Sequence, residues 1–342
     1  MKEDPRRRAV ANSTMESRGT RLATVIPTRE FALYSLGGPS PAANGNCRLP
    51  FSPARYSRYK YGSVAAAETF ARALGAAFCE AHLELTLAPR LLMASSPYAH
   101  VPAAATTLAR GLQPVLNAAR AMNGLAPVPL LRVDRISTSA GDYGTLSAQA
   151  RDLHMAANVL SFRRFRPAQV RGAHLLVVDD VRVTGAHQRC LMRASEDLPL
   201  AGRIFLYIAA VPGQLSGCFD PAQEDTLNHT AVKTLDDLAG IAAAGDFAWN
   251  VRVCKFTLSP ANHRELPRFL RRMPDWFIHD LHRNSCRDGY ARMAPYAPSH
   301  ALVRAELSAR AGRPLAACPP ALWPACRARP LRRAPGAGHP PT

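Results

Sequence analysis

The stretch His174-Leu-Leu-Val-Val-Asp-Asp-Val-Arg-Val-Thr-Gly-Ala-His-Gln188 decides how this chain is read. Four consecutive apolar residues, Leu175 to Val178, predict a strand buried on both faces. Two adjacent acids, Asp179 and Asp180, follow it. A short turn reaches Thr184-Gly185, and a helix is expected to start there. Acids at a strand end can accept hydrogen bonds from vicinal hydroxyls of a sugar. Backbone N–H groups at a helix start, on the positive end of its dipole, favour an anion such as phosphate. The Walker B segment of NTPases also ends a strand in acids. Its companion G-x-x-x-x-G-K-[S/T] loop is missing from the chain. A plain strand-to-helix turn that happens to contain Asp is the other reading.

Working outward, strands and helices alternate. Apolar spacing predicts helices over 64–80 and 101–122, the latter despite Pro114, and strands over 90–94, 128–133 and 204–211. Residues 134–146, with Gly141 and Gly144, are expected to be a loop, and 147–158 a short helix. A helix is expected over 187–197. The fold class is therefore α/β, a mostly parallel sheet with helices on both faces, in which ligands bind beyond the carboxyl ends of the strands. Further on, 230–244 and 262–273 read as helices, and 250–257 alternates like a strand. The division expected is a disordered tail over 1–24, an α/β core over 25–220, a more helical hood over 221–310, and a Pro/Arg-rich tail over 311–342.

The 342 residues carry 43 Lys plus Arg against 25 Asp plus Glu, a net charge of +18. Such a charge suits a nucleic acid or a heavily phosphorylated ligand. The basic residues are scattered and mostly Arg, which favours Arg-rich usage and basic tails over a nucleic-acid footprint. Arg163, Arg164 and Arg166 alternate with Phe162 and Phe165, a pattern compatible with nucleic acid and equally with a solvated strand edge. Trp276-Phe277 reads as core. None of the eight cysteines has C-x-x-C spacing, so a zinc ribbon is not expected. No apolar run approaches the ~20 residues of a membrane span, and the first thirty residues lack a secretory core segment. The expectation is a cytoplasmic protein with reduced thiols, its cysteines serving as small buried hydrophobes.

Several flanking words sharpen the first stretch. They are Phe51-Ser-Pro-Ala-Arg-Tyr-Ser-Arg-Tyr-Lys-Tyr-Gly62 ahead of an Ala-rich helix, Ser95-Ser-Pro-Tyr98, and Asp142-Tyr-Gly-Thr-Leu-Ser147 with Arg151 following. Together with the acid–acid–Thr-Gly loop they resemble the type I phosphoribosyltransferases, in particular the competence-protein-F-like branch found with bacterial tellurite-resistance gene clusters. Leu227-Asn228, Asn250 with Arg252 and Lys255-Phe256, and Asp288-Gly-Tyr290 also look like that branch. The resemblance covers roughly residues 50–295.

It implies transfer of a 5-phosphoribosyl group from phosphoribosyl pyrophosphate (PRPP) to a base-like acceptor, with Mg²⁺ as cofactor and pyrophosphate as leaving group. On that footing Asp179 and Asp180 hold the ribose hydroxyls, directly or through Mg²⁺. Thr184, Gly185, Ala186, His187 and Gln188 hold the 5-phosphate. Ser95 and Ser96 face the pyrophosphate, and Arg151, Arg135 or Lys60 adds charge. Tyr290 is a candidate to stack on the acceptor. His187 departs from the wider superfamily, which often has Ser or Thr there. The imidazole either donates to the phosphate or points away. The fold also serves regulators, so a non-catalytic PRPP sensor is the rival reading, and a nucleic-acid-binding accessory a third. A homodimer is compatible with all three.

Overall fold

The structure is a computed structural model, and it describes residues 26–36, 50–136, 159–212 and 222–312. Five strands form one parallel sheet in the order β1-β7-β6-β2-β3. They are β1 (Thr28–Ser35), β2 (Leu91–Ser95), β3 (Leu130–Leu131), β6 (His174–Arg182) and β7 (Gly202–Ala210). A separate two-residue ribbon pairs β4 (Asp134–Arg135) antiparallel with β5 (Leu160–Ser161). The expected parallel α/β architecture holds. The tails, apart from Ala311 and Gly312, lie outside the described residues, as does the helix expected over 147–158.

Strand period two sorts the core. Leu91, Met93, Leu176, Val178, Ile204 and Leu206 face one layer, with α1 (Pro53–Lys60), α2 (Val64–Ala81) and α4 (Ala104–Ala121). Leu92, Ala94, Leu175, Val177, Phe205 and Tyr207 face the other, with α5 (Pro167–Val170) and α6 (Ala186–Ala194). A one-turn helix, α3 (Leu83–Thr86), links α2 to β2. The same parity decides where the side chains at the strand ends go.

The hood comprises α7 (Ala222–Asn228), α8 (Leu235–Ala243), α9 (Val251–Leu258), α10 (Leu266–Arg272), α11 (Asp275–Arg287) and α12 (Ala297–Ala311). It has its own core of Leu238, Val253, Leu258, Phe277, Leu281 and Val303. Residues 251–258 are helix and not the strand that their alternation suggests. Asn250 caps the turn by accepting from the Val253 N–H at 3.1 Å, and the buried positions Val253, Cys254, Thr257 and Leu258 form a helical stripe. The hood is pinned to the core at the α1–α2 turn. Gly62 donates no side chain there and has φ +97°. A Cβ on it would lie 2.7 Å from the Ala248 carbonyl, whose own N–H donates to Gly62 O at 2.8 Å.

Among the described cysteines, Cys79, Cys190 and Cys254 are free, and the last two are buried. Cys286 is disulfide-bonded, against the expectation of reduced thiols. No helix among the described residues is long and apolar enough to cross a membrane.

Candidate active site

Strand β6 runs through both acids to Arg182, beyond the apolar run that ends at Val178, because β7 continues beside it: Asp179 pairs with Tyr207, Val181 with Ala209 and Arg182 with Ala210. Adjacent strand residues point to opposite faces, so Asp179 and Asp180 diverge. Asp180 turns toward α1 and forms a buried ion pair with Lys60. Its other oxygen accepts the Val181 N–H at 2.8 Å. Asp179 turns toward α6. Its Oδ1 accepts the Ser96 hydroxyl at 2.5 Å and the Asp180 N–H at 2.9 Å, and its Oδ2 lies 2.8 Å from His187 Nδ1. Burial alone would raise the Asp179 carboxyl; the charge and hydrogen bond of His187, with the Ser96 and Asp180 donors, bring it below its ordinary value.

The loop then makes its turn at Gly185, the N-cap of α6, with φ +71°. That left-handed conformation suits glycine and aims the first N–H groups of α6 outward. Gly185 offers no side chain to cap the helix, and Thr184 Oγ1 accepts the Ala186 N–H at a long 3.4 Å. His187 takes neither of its two expected roles in full. Its Nδ1 is spent on Asp179, while its Nε2 is buried with no hydrogen-bond partner among the described residues. Tyr207 donates to Gln188 Oε1 at 3.2 Å and fixes that side chain.

These groups line one cleft of about 410 Å³, between the carboxyl end of the sheet and the hood. Lys60, Ser96, Arg135, Asp179, Asp180 and Thr184 through Gln188 all border it. Arg135 sits on the β4–β5 ribbon, so the expected loop is a strand at its first two residues. Burial lowers its guanidinium pKa, and its Nε has no hydrogen-bond partner among the described residues.

Two expected residues are placed elsewhere. Ser95 has the opposite strand parity to Ser96 and bonds Thr106 Oγ1 at 2.9 Å beneath α4. Tyr290 is buried in the hood core, edge-on to Tyr296 at 5.5 Å, and does not border the cleft. Arg151 lies outside the described residues. The arginines at 163 and 164 pair with the buried Asp134, and Phe162 and Phe165 pack inward, so this segment is structural. Phe277 is core, whereas Trp276 is 45% exposed.

The hood side of the cleft includes Tyr61, His229, Arg252, Lys255, Phe256 and Tyr296. Arg252, Lys255 and Phe256 are visible in the sequence only as words of a resemblance. His229 and Tyr296 carry no local signal at all, because they reach the cleft through tertiary packing.

Asp288 ties the hood to the loop after β2, accepting the N–H groups of His100 (2.8 Å) and Val101 (3.2 Å). Burial raises its carboxyl to about 6; those two donors and the charges of Arg132 and Arg135 hold it back from rising further. The folded state therefore keeps a proton that the unfolded chain sheds near pH 4. Stability from this group is full below about pH 4 and is lost as pH rises through about 6. Asp288→Asn is expected to gain on the wild type by up to about 3 kcal/mol between pH 4 and pH 7. Urea denaturation of both proteins across that range measures it, and a pH-independent difference refutes it.

The family model described as PRTase ComF-like matches residues 29–302. No curated protein matches the chain.

Proposed function

Because the chain belongs to the PRTase ComF-like family, whose model spans most of its length, we propose that it binds PRPP in this cleft and transfers the 5-phosphoribosyl group to a base-like acceptor, releasing pyrophosphate. The family supports a function of the phosphoribosyltransferase type. The observation that carries the finer reading is the set of groups converging beyond β6: two acids, a helix start whose N-cap is a glycine, and two buried nitrogens, His187 Nε2 and Arg135 Nε, with no partner among the described residues. Buried polar atoms without a partner are costly unless a ligand satisfies them.

In this reading the N–H groups at the start of α6 and the Thr184 hydroxyl hold the 5-phosphate. In its imidazolium form His187 donates from Nε2 to the same phosphate, while its Nδ1–H keeps Asp179 oriented. The carboxylates take the ribose 2- and 3-hydroxyls through lone pairs that their protein partners leave open. As the bond from C1 to pyrophosphate breaks, positive charge develops on the ring, and both carboxylates stabilise it. Arg135 meets the negative charge gathering on the leaving pyrophosphate, while the Ser96 hydroxyl keeps Asp179 oriented. The Phe256 ring, with Arg252 and Lys255, forms the wall on the hood side and suits a flat acceptor bearing negative charge.

The donors here are hard oxygens, which fit Mg²⁺. Each carboxylate oxygen already has a protein partner, so Asp179 and Asp180 would hold the ion through its waters. Bound with PRPP, it would neutralise pyrophosphate charge.

Isothermal titration with PRPP and Mg²⁺ is expected to show saturable binding in the usual substrate range, about 1 μM to 1 mM. A panel of purine and pyrimidine bases then tests for pyrophosphate release. No binding heat at ~1 mM PRPP overturns the proposal. Binding with no release for any base identifies a PRPP sensor, a reading favoured by one observation: the acids are engaged by Lys60 and His187. Nucleic-acid affinity that collapses with salt would point to the basic accessory instead.

A further inference from the structure

We propose that the reduced chain carries a zinc-type metal site at His282, Cys286 and His300, on the hood and apart from the cleft. His282 and Cys286 lie one turn apart on α11, and His300 lies in the first turns of α12. None of the three borders the cleft. Cys286 Sγ is 3.7 Å from His282 Nε2 and 3.5 Å from His300 Nε2, and the three ligand atoms lie within 4.8 Å of one another. A tetrahedral zinc centre, with Zn–S near 2.3 Å and Zn–N near 2.0 Å, puts sulfur and nitrogen about 3.6 Å apart. Both sulfur–nitrogen edges of that tetrahedron are already in place. The two imidazoles stack at 5.1 Å with 19° between their planes, and both aim the same nitrogen at the sulfur.

The chemistry of the set selects the ion. One thiolate and two imidazoles are soft-to-borderline donors, which suit Zn²⁺ and exclude Mg²⁺ and Ca²⁺. Three protein ligands leave the fourth position to water or to another donor.

Cys286 is disulfide-bonded, so disulfide and metal compete for one sulfur. A phosphine, water and the disulfide give phosphine oxide and two thiols. The two electrons come from phosphorus and the oxygen from water, and each sulfur takes a proton. Cys286 then loses its proton as the metal binds. The hood would in this way carry zinc when reduced and a disulfide when oxidised.

Co²⁺ titrated into the full phosphine-reduced chain is the test. One equivalent is expected to give a near-ultraviolet thiolate-to-cobalt charge-transfer band and the strong visible bands of four-coordinate cobalt, both removed by Zn²⁺. Cys286→Ser should lose the charge-transfer band. His282→Asn, at a half-buried position, should weaken affinity by more than about tenfold, the scale on which even outer partners of a ligand act. Asp179→Asn should leave the band intact, separating this site from the cleft. The oxidised chain should show no band. Absence of the band in the reduced wild type, or its survival in Cys286→Ser, overturns the proposal.

Discussion

Asp180→Asn is expected to weaken Mg²⁺-dependent PRPP binding by more than about 100-fold and also to destabilise the fold. The first effect follows from two charge-assisted hydrogen bonds to ribose hydroxyls, each worth about 1.5–3 kcal/mol. The second follows from the partner it abandons. Lys60 is 9% exposed in its side chain and Asp180 13%. A buried cation left alone costs about 3–5 kcal/mol. The two effects separate in the double variant Lys60→Met with Asp180→Asn. It removes both charges, so it should recover most of the stability in urea denaturation while still failing to bind PRPP by titration calorimetry. If Asp180→Asn keeps its PRPP affinity, the assignment of this carboxylate to the ribose is wrong. If the double variant binds PRPP, the carboxylate mattered only as the partner of Lys60.

The second large effect is expected at Asp134→Ala, far from any ligand contact of its own. This carboxylate has no exposed side-chain surface. It faces Arg132 Nε at 2.7 Å, Arg164 Nε at 2.8 Å and Arg163 Nε at 3.4 Å. The Arg132 contact is close without being aligned as a hydrogen bond, so it acts through charge. Removing the acid leaves three cations crowded around an empty site. Breaking a buried pair costs about 3–5 kcal/mol, and the lower end applies because Arg163 and Arg164 can turn to water. A fall in Tm of roughly 6–12 °C follows for a domain of this size. Arg163→Ala, whose side chain is 61% exposed, should move Tm by no more than about 1–2 °C. A shift that small for Asp134→Ala would show that the arginines are already solvated in the folded protein.

The parts of this fold that the sequence shows plainly are those where burial on both faces leaves an unbroken apolar run. Leu175 to Val178 is such a run, and the acids and Thr184-Gly185 follow it on the same strand and turn, so a local reading reaches the phosphate side of the cleft. Ser95 and Ser96 show where a local reading stops. The chemistry of the two is the same, and only their parity on β2 sends one to Asp179 and the other to Thr106. Residues 251–258 failed for a related reason. Val251, Val253 and Thr257 alternate, but Val253-Cys254 and Thr257-Leu258 also repeat every four residues, and the Asn250 cap selected the helix. His187 shows the reverse case. Its type marked it as unusual, yet which nitrogen it spends on Asp179 depends on how α6 leans against β6. Tyr290 matched a family word and is nevertheless a core residue, because a word does not state which way a ring faces.

The sheet order has a consequence for the nascent chain. Among the described residues strand β1 is an edge strand whose one neighbour is β7, with Thr28 registered on Arg203 and Ser35 on Ala210. During synthesis at about 5–20 residues per second, β1 emerges and then waits on the order of ten to thirty seconds for the strand that will hold it. Throughout that interval Phe31, Leu33 and Tyr34, which later pack against the core, have no sheet to join. Long-range pairing of this kind is slow to form and exposed while it is pending. The ribosome releases the last central strand of this sheet long after its first edge, so assembly is governed by the arrival of β7.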